Sequence, residues 1–183
     1  MITEAFDLPI LRWIAETLRT PLGDAVMPAI TFLGDGGWIW IAAALVLLLI
    51  PKYRKTGLTM AVALLTGLIV CNLTLKPLVA RMRPFDYELL HFGRVIPLLI
   101  EAPTDFSFPS GHTIASVEAA TVLLLHDKRI GIPATILAAL IAFSRLYLYV
   151  HYPTDVLASL VLGAIIACLA NLFVNKGQML INK

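Results

Sequence analysis

Long apolar runs separated by short polar joints make up most of this chain. A helix that crosses a bilayer needs about 20 mostly apolar residues. Four runs meet or approach that length: 58–75, 109–125, 130–150 and 154–174. Before Pro51 the pattern is less regular. Runs 22–33 and 38–50 flank Gly34-Asp35-Gly36-Gly37. Each is short for a crossing, since the second would rise only about 20 Å as a helix. The pattern predicts one crossing over 28–50, with the glycines near one interface. The total is then five crossings, or six if the N-terminal segments form a broken or tilted helix. At the start of the chain, Phe6, Ile10, Trp13, Ile14, Thr17 and Leu18 recur at helical spacing. Glu4, Asp7, Arg12, Glu16 and Arg19 fall largely elsewhere. This amphipathic spacing predicts a helix over residues 1–20 that lies in the membrane surface or packs against the bundle.

Composition supports a membrane setting. The chain has 183 residues, 59% of them hydrophobic and 14% charged. A soluble domain carries about 25% charged residues, so too few polar side chains remain to coat a water-facing surface. A net charge of +2 is too small to suggest nucleic acid. Cys71 and Cys168 lie inside apolar runs and read as small buried apolar residues, not as a disulfide or metal site. Acids near the start and the lack of an uninterrupted apolar core do not fit a signal peptide.

The cations give the bundle a direction. Lys52, Arg54 and Lys55 occupy one short joint, Lys128 and Arg129 another, and Lys176 and Lys183 the C-terminal tail. All three fall on one side if the four clear spans alternate, and the positive-inside rule makes that side the cytoplasm. The 76–108 loop and the 146–153 joint then lie on the opposite side.

On that opposite side, polar residues from distant parts of the chain converge: Lys76, Arg81 and Arg83; Ser110, Gly111 and His112; Ser144 and Arg145; His151 and Asp155. Such groups are costly in lipid and are functional by default. The mixture suits phosphate. Lys76, Arg83 and Arg145 can surround an oxyanion. Ser110 and Gly111 precede a helix whose first N–H groups can face an anion, and Pro109 suits the helix entrance. Arg81 reads as a surface cation. Two histidines can divide a two-step transfer, one attacking phosphorus and the other protonating the departing oxygen and then activating water. Asp155 follows His151 by one helical turn, so its carboxylate can fix the imidazole tautomer.

Taken together these residues resemble the type-2 phosphatidic acid phosphatase superfamily. Three motifs carry the resemblance: Lys76, six residues, then Arg83-Pro84; Pro109-Ser110-Gly111-His112; and Ser144-Arg145, five residues, His151, three residues, Asp155. The similarity runs over 56–174. It implies an all-α integral-membrane bundle, with residues 21–183 as the phosphatase domain and an extracytoplasmic loop at 76–108. It further implies His151 as nucleophile, Asp155 as its partner and His112 as general acid. Lys76, Arg83, Ser110, Gly111 and Arg145 would bind the phosphate, with no metal and no cofactor.

The expected activity is hydrolysis of a phosphomonoester or diphosphate on a membrane lipid at the outer face of the cell membrane, with the C-terminus cytoplasmic. Isoprenoid diphosphate, phosphatidylglycerol phosphate and phosphatidic acid are the candidate substrates. A phosphotransferase using the same intermediate, or a lipid transporter or scramblase without chemistry, are the alternatives. Substrate choice is expected to depend on the 85–108 loop, where Phe85, Tyr87, His91 and Phe92 read as interfacial anchors. Glu118 has no role in the motifs. It stands about 240° around a helix from His112 and is expected to face another helix, protonated or hydrogen-bonded there.

Overall fold

The computed structural model describes residues 2–181, with side chains to residue 177, so Lys183 lies outside the described residues. The described residues are helical or irregular, with no strand. A first helix, α1 (Leu8–Trp13), is flanked by π-helical turns at Thr3–Asp7 and Ile14–Leu18. Then come α2 (Pro21–Phe32), α3 (Trp38–Leu49) and α4 (Arg54–Gly67), the last continuing through a π-helical stretch, Leu68–Leu75, into α5 (Lys76–Val79). After them follow α6 (Pro84–Phe92), α7 (Gly111–His126), α8 (Lys128–Tyr147) and α9 (Pro153–Ile181).

The four clear apolar runs appear as helices within a few residues of the expected bounds. The run Pro51–Phe92, which contains α4, together with Lys128–Tyr147 and Pro153–Gly177, is long and apolar enough to cross a membrane. Helices α2 and α3 make a fourth crossing if a pair bent by 41° counts as one. α7 is shorter, at 16 residues, and is the central helix, packed against α4, α8 and α9. Its inward residues Ile114, Ala119, Ala120 and Val122 join Met60, Ala63, Ile141 and Ala167 in the main core. Small residues set the spacing: a Cβ on Gly57 would stand 2.7–2.8 Å from the α3 backbone, so α3 and α4 pack backbone to backbone there. Cys71 is buried in this core, but Cys168 is exposed on the outer face of α9, where its neighbours in the bundle do not reach it.

At the N-terminal end one expectation gains detail and another is revised. The glycine cluster 34–37 lies at the level of the polar residues, with Gly34 against His112 and Ile141. Helix α2 is drawn there by tertiary contacts: Tyr147 Oη donates to Asp24 at 2.8 Å, and Arg145 donates to Thr31. The first helix does dock on protein, but through Asp7, Leu8, Leu11 and Ile14, while Phe6 and Trp13 of the expected apolar face are exposed. The docking surface contains Tyr149 and Tyr152, so the helix turns the face that matches those rings.

The 76–108 segment is not a featureless loop. Within it, α6 carries Glu88, which is fully buried and receives both Arg12 and Tyr149. Tyr87 stacks on His91 and donates to Glu4, and Phe92 lies beneath the Arg12 guanidinium. The aromatic residues of this loop therefore hold the N-terminal helix. The basic joints come together at the other end of the bundle, where Tyr53 donates to Asp127 and His126 contacts Thr56 and Asn171.

Candidate active site

The side chain of His151 is placed by a backbone reversal between α8 and α9. Tyr149 takes φ 62°, a left-handed conformation that costs a non-glycine residue energy and persists where surroundings fix it. Here the fixing contact is the Tyr149 hydroxyl on buried Glu88, at 2.8 Å. The reversal leaves His151 1% exposed and presents the Val150 carbonyl to Arg83 at 2.7 Å. Arg83 Nη1 stands 3.4 Å from His151 Nε2. Asp155, in the first turn of the next helix, stands 3.5 Å from Nδ1, near enough for ion pairing and long for a hydrogen bond. Burial pushes the His151 imidazole down to about 3; Asp155 opposes this, while Arg145 and Arg83 reinforce it. The ring is therefore neutral across ordinary pH.

The other histidine sits at the start of α7. Ser110 caps that helix, its hydroxyl accepting from Thr113 N, and its own amide donates to Ser159. The Ser110 side chain is thus occupied in building the helix start. Gly111 lies against Asn72 and lines the cavity. His112 Nε2 stands 2.7 Å from Asp35 Oδ1 and 3.4 Å from Arg145 Nη1. A cavity of about 720 Å³ is lined by His112, His151, Lys76, Arg83, Arg145 and Gly111, and it continues between the apolar walls of α3 and α4. Residues of all three motifs therefore meet around one space. Ser110 and Asp155 stand behind its wall.

Several contributors are not singled out by the motifs. Asp105, from the irregular stretch before α7, bridges Lys76 at 2.5 Å and Arg83. Burial disfavours its charged form, but hydrogen bonds from those two cations outweigh this and hold its carboxyl at about 2. Asp35 comes from the glycine cluster, 77 residues from the histidine it meets.

Arg81 is the clearest revision. It is not a surface cation: it donates to Asp155, to Thr154 at 2.8 Å and to buried Asp7 at 2.7 Å, and it lies 3.8 Å over the Tyr152 ring. Ser107 and the Tyr152 amide also donate to Asp155. Ala80, left-handed at φ 47°, ends the preceding helix, and the chain stays non-helical to Arg83. Arg81 and Arg83 both turn inward.

The comparisons with known proteins give the family. The PAP2 superfamily profile matches residues 56–179. The chain belongs to the PAP2 superfamily. An undecaprenyl-diphosphatase of Sulfolobus acidocaldarius is 36% identical over 134 residues, which cover 73% of this chain and 62% of that protein. Phosphatidylglycerophosphatase B of Bacillus subtilis is 31% identical over 175 residues, 88% of this chain and 80% of the relative. The chain spans 62% and 66% of the lengths of two relatives named undecaprenyl-diphosphatase, from S. acidocaldarius and B. subtilis.

Among solved PAP2-like structures, Aquifex aeolicus LpxE superposes with a TM-score of 0.77 at 28% identity, covering 93% of this chain and 98% of that one. A transmembrane PAP2-type phosphatidylglycerolphosphate phosphatase from B. subtilis gives 0.74 at 29% identity, covering 95% and 87%. The fold over 95% of this PAP2 chain is thus shared with a transmembrane phosphatase.

Proposed function

We propose that this chain is an integral-membrane lipid phosphatase that works through a phosphohistidine on His151. The observation that carries the reading is the pair of imidazoles on one cavity with three cations between them, continuing into an apolar space between helices. Asp155 lies on the Nδ1 side of His151, so Nε2 is the nitrogen left to attack. Its lone pair forms an N–P bond as the P–O bond to the lipid breaks, and His112 gives its proton to the departing oxygen. His112 then takes a proton from water; the water oxygen bonds to phosphorus, and the N–P bond breaks to restore neutral His151. Lys76, Arg83 and Arg145 stabilise charge on the equatorial oxygens, and the Gly111 end of α7 adds its backbone. An incoming phosphate competes with Asp105 for Lys76 and Arg83.

Five crossings, with α2 and α3 as one, fit the chain. The three basic joints then mark the cytoplasmic side, and the site faces outward. The first helix rests at that outer interface with Phe6 and Trp13 toward lipid. The names of the relatives favour isoprenoid diphosphates and glycerophospholipid phosphates as substrates. The test is phosphate release from undecaprenyl diphosphate, phosphatidylglycerol phosphate and phosphatidic acid by the purified chain in detergent with EDTA. Release from at least one, abolished by His151→Ala and inhibited by vanadate, is expected. Inertness toward all three, or release unaffected by His151→Ala, contradicts the proposal.

A further inference from the structure

Two polar side chains line the same cavity beneath the phosphate cations, and the chemistry above uses neither. Glu118, on α7, is 1% exposed, and its Oε1 has no hydrogen-bond partner among the described residues. Asn72, one turn before Lys76 on the α4 continuation, has a buried Oδ1 in the same condition. Both line the cavity. Asn72 lies just behind Gly111, where an added Cβ would come within 3.0 Å of Oδ1. Glu118 lies deeper, six residues beyond His112, or about 9 Å along the helix axis. It faces α4, as expected from the sequence, but finds Gly67 there and no hydrogen-bonding group. A methyl group on Gly67 would overlap the Glu118 carboxyl. A glycine at that place leaves the carboxyl room to stand in the wall.

Polar groups at this depth are costly unless something pairs with them. The surrounding wall is apolar, with Ile41, Leu45, Leu64 and Leu68. A lipid whose phosphate lies between His112 and His151 extends into this space. An isoprenoid places only hydrocarbon beside Glu118 and Asn72. An acyl lipid places ester carbonyls there, which accept from the Asn72 amide N–H and from a Glu118 carboxyl group that keeps its proton at this depth.

We infer that Asn72 and Glu118 form a second subsite, below the phosphate, that takes the uncharged hydrogen-bonding linkage of an acyl lipid. The inference rests on the lipid-phosphatase reading and narrows its substrate class. A site built to hydrogen-bond a ligand discriminates strongly against an analogue that leaves its polar groups unpaired.

The test compares kcat/KM for acylglycerol and polyprenyl substrates carrying the same reacting group. Dioleoyl phosphatidate is set against undecaprenyl monophosphate, and dioleoylglycerol diphosphate against undecaprenyl diphosphate. The full-length chain is used in detergent. The wild type is expected to favour the acylglycerol member of whichever pair it hydrolyses by about tenfold or more. Glu118→Leu is expected to lower that ratio about tenfold by loss on the acylglycerol alone. Glu118→Gln, which keeps size and hydrogen bonding, should retain the ratio. Gly67→Ala keeps the carboxyl group but displaces it with the added methyl, and should lower the ratio. A wild type that favours the polyprenyl member overturns the inference. So does an equal effect of Glu118→Leu and Gly67→Ala on both lipids. A wild type inert toward all four lipids and toward phosphatidylglycerol phosphate overturns the phosphatase reading and this inference with it, whereas an active enzyme with an unmoved ratio overturns this inference alone.

Discussion

The two histidines each face a carboxylate, and the two pairs are built in opposite ways. His151 and Asp155 come from adjacent positions in one motif, one helical turn apart, with side chains 2% and 0% exposed. His112 and Asp35 come from distant segments, with side chains 18% and 54% exposed. The buried pair is anchored on every side: Arg81, Ser107 and the Tyr152 amide hold Asp155, while Arg83 stands beside His151. The rim pair depends on one contact from a glycine-rich joint. The difference matches the two tasks proposed for them. A nucleophile gains from immobility, because small displacements of a reacting atom are costly. The group that protonates a leaving oxygen and then activates water must be reachable from water.

The comparison can be broken at several points. The largest effect is expected at His112. His112→Ala should slow turnover of a natural lipid substrate by about 10² to 10⁴-fold. It should have far less effect on enzyme phosphorylation by an aryl phosphate, whose leaving group needs no proton. An equal loss on both would deny His112 the acid role. Next comes Arg81→Gln, expected to reduce kcat about 10²-fold by releasing Asp155 and, through it, His151. Arg81→Lys should recover part of that loss, and Asp155→Asn combined with Arg81→Gln should cost little more than Asp155→Asn alone. Additive losses would mean that Arg81 acts elsewhere.

At the rim, Asp35→Asn should cost only about fivefold in kcat, as suits a charge pair exposed to solvent. A loss as large as that at Arg81 would erase the distinction between the pairs. The smallest effect concerns pH. A nucleophile must be neutral, and His151 is held near 3, so it stays neutral until pH falls well below the ordinary imidazole range. Single-turnover phosphorylation by an aryl phosphate should therefore change less than about twofold between about pH 7 and pH 5. Stopped-flow measurement of the burst would show it, and a fall on an ordinary histidine titration would contradict it.

Much of this was legible in the sequence because it is written in local spacing. The apolar runs announce α4, α7, α8 and α9. The motif spacings bring Lys76, Arg83, Gly111, His112, Arg145 and His151 to one cavity. What spacing does not carry is tertiary. Helix α2 bends back to the site because Tyr147 and Arg145 hold Asp24 and Thr31, and no periodicity encodes a contact across more than 100 residues. Arg81 looks like any exposed cation until the residues around it prove non-helical. The first helix was readable as amphipathic, yet its docked face follows Tyr149 and Tyr152, which lie at the far end of the chain. Glu118 was readable as facing a helix; that the facing residue is Gly67, with nothing to bond, was not.

The central claim is a covalent phosphate on His151. It is tested most directly by mixing the His112→Ala chain with an aryl phosphate, quenching in base and mapping phosphorylated peptides by mass spectrometry. Formation needs no acid with that leaving group, while hydrolysis is starved of its base, so the intermediate should accumulate. The account predicts a base-stable, acid-labile phosphate on the peptide containing His151, absent when His151 is also replaced. Aryl phosphate turnover without any such adduct, or a phosphate on another residue, would contradict it.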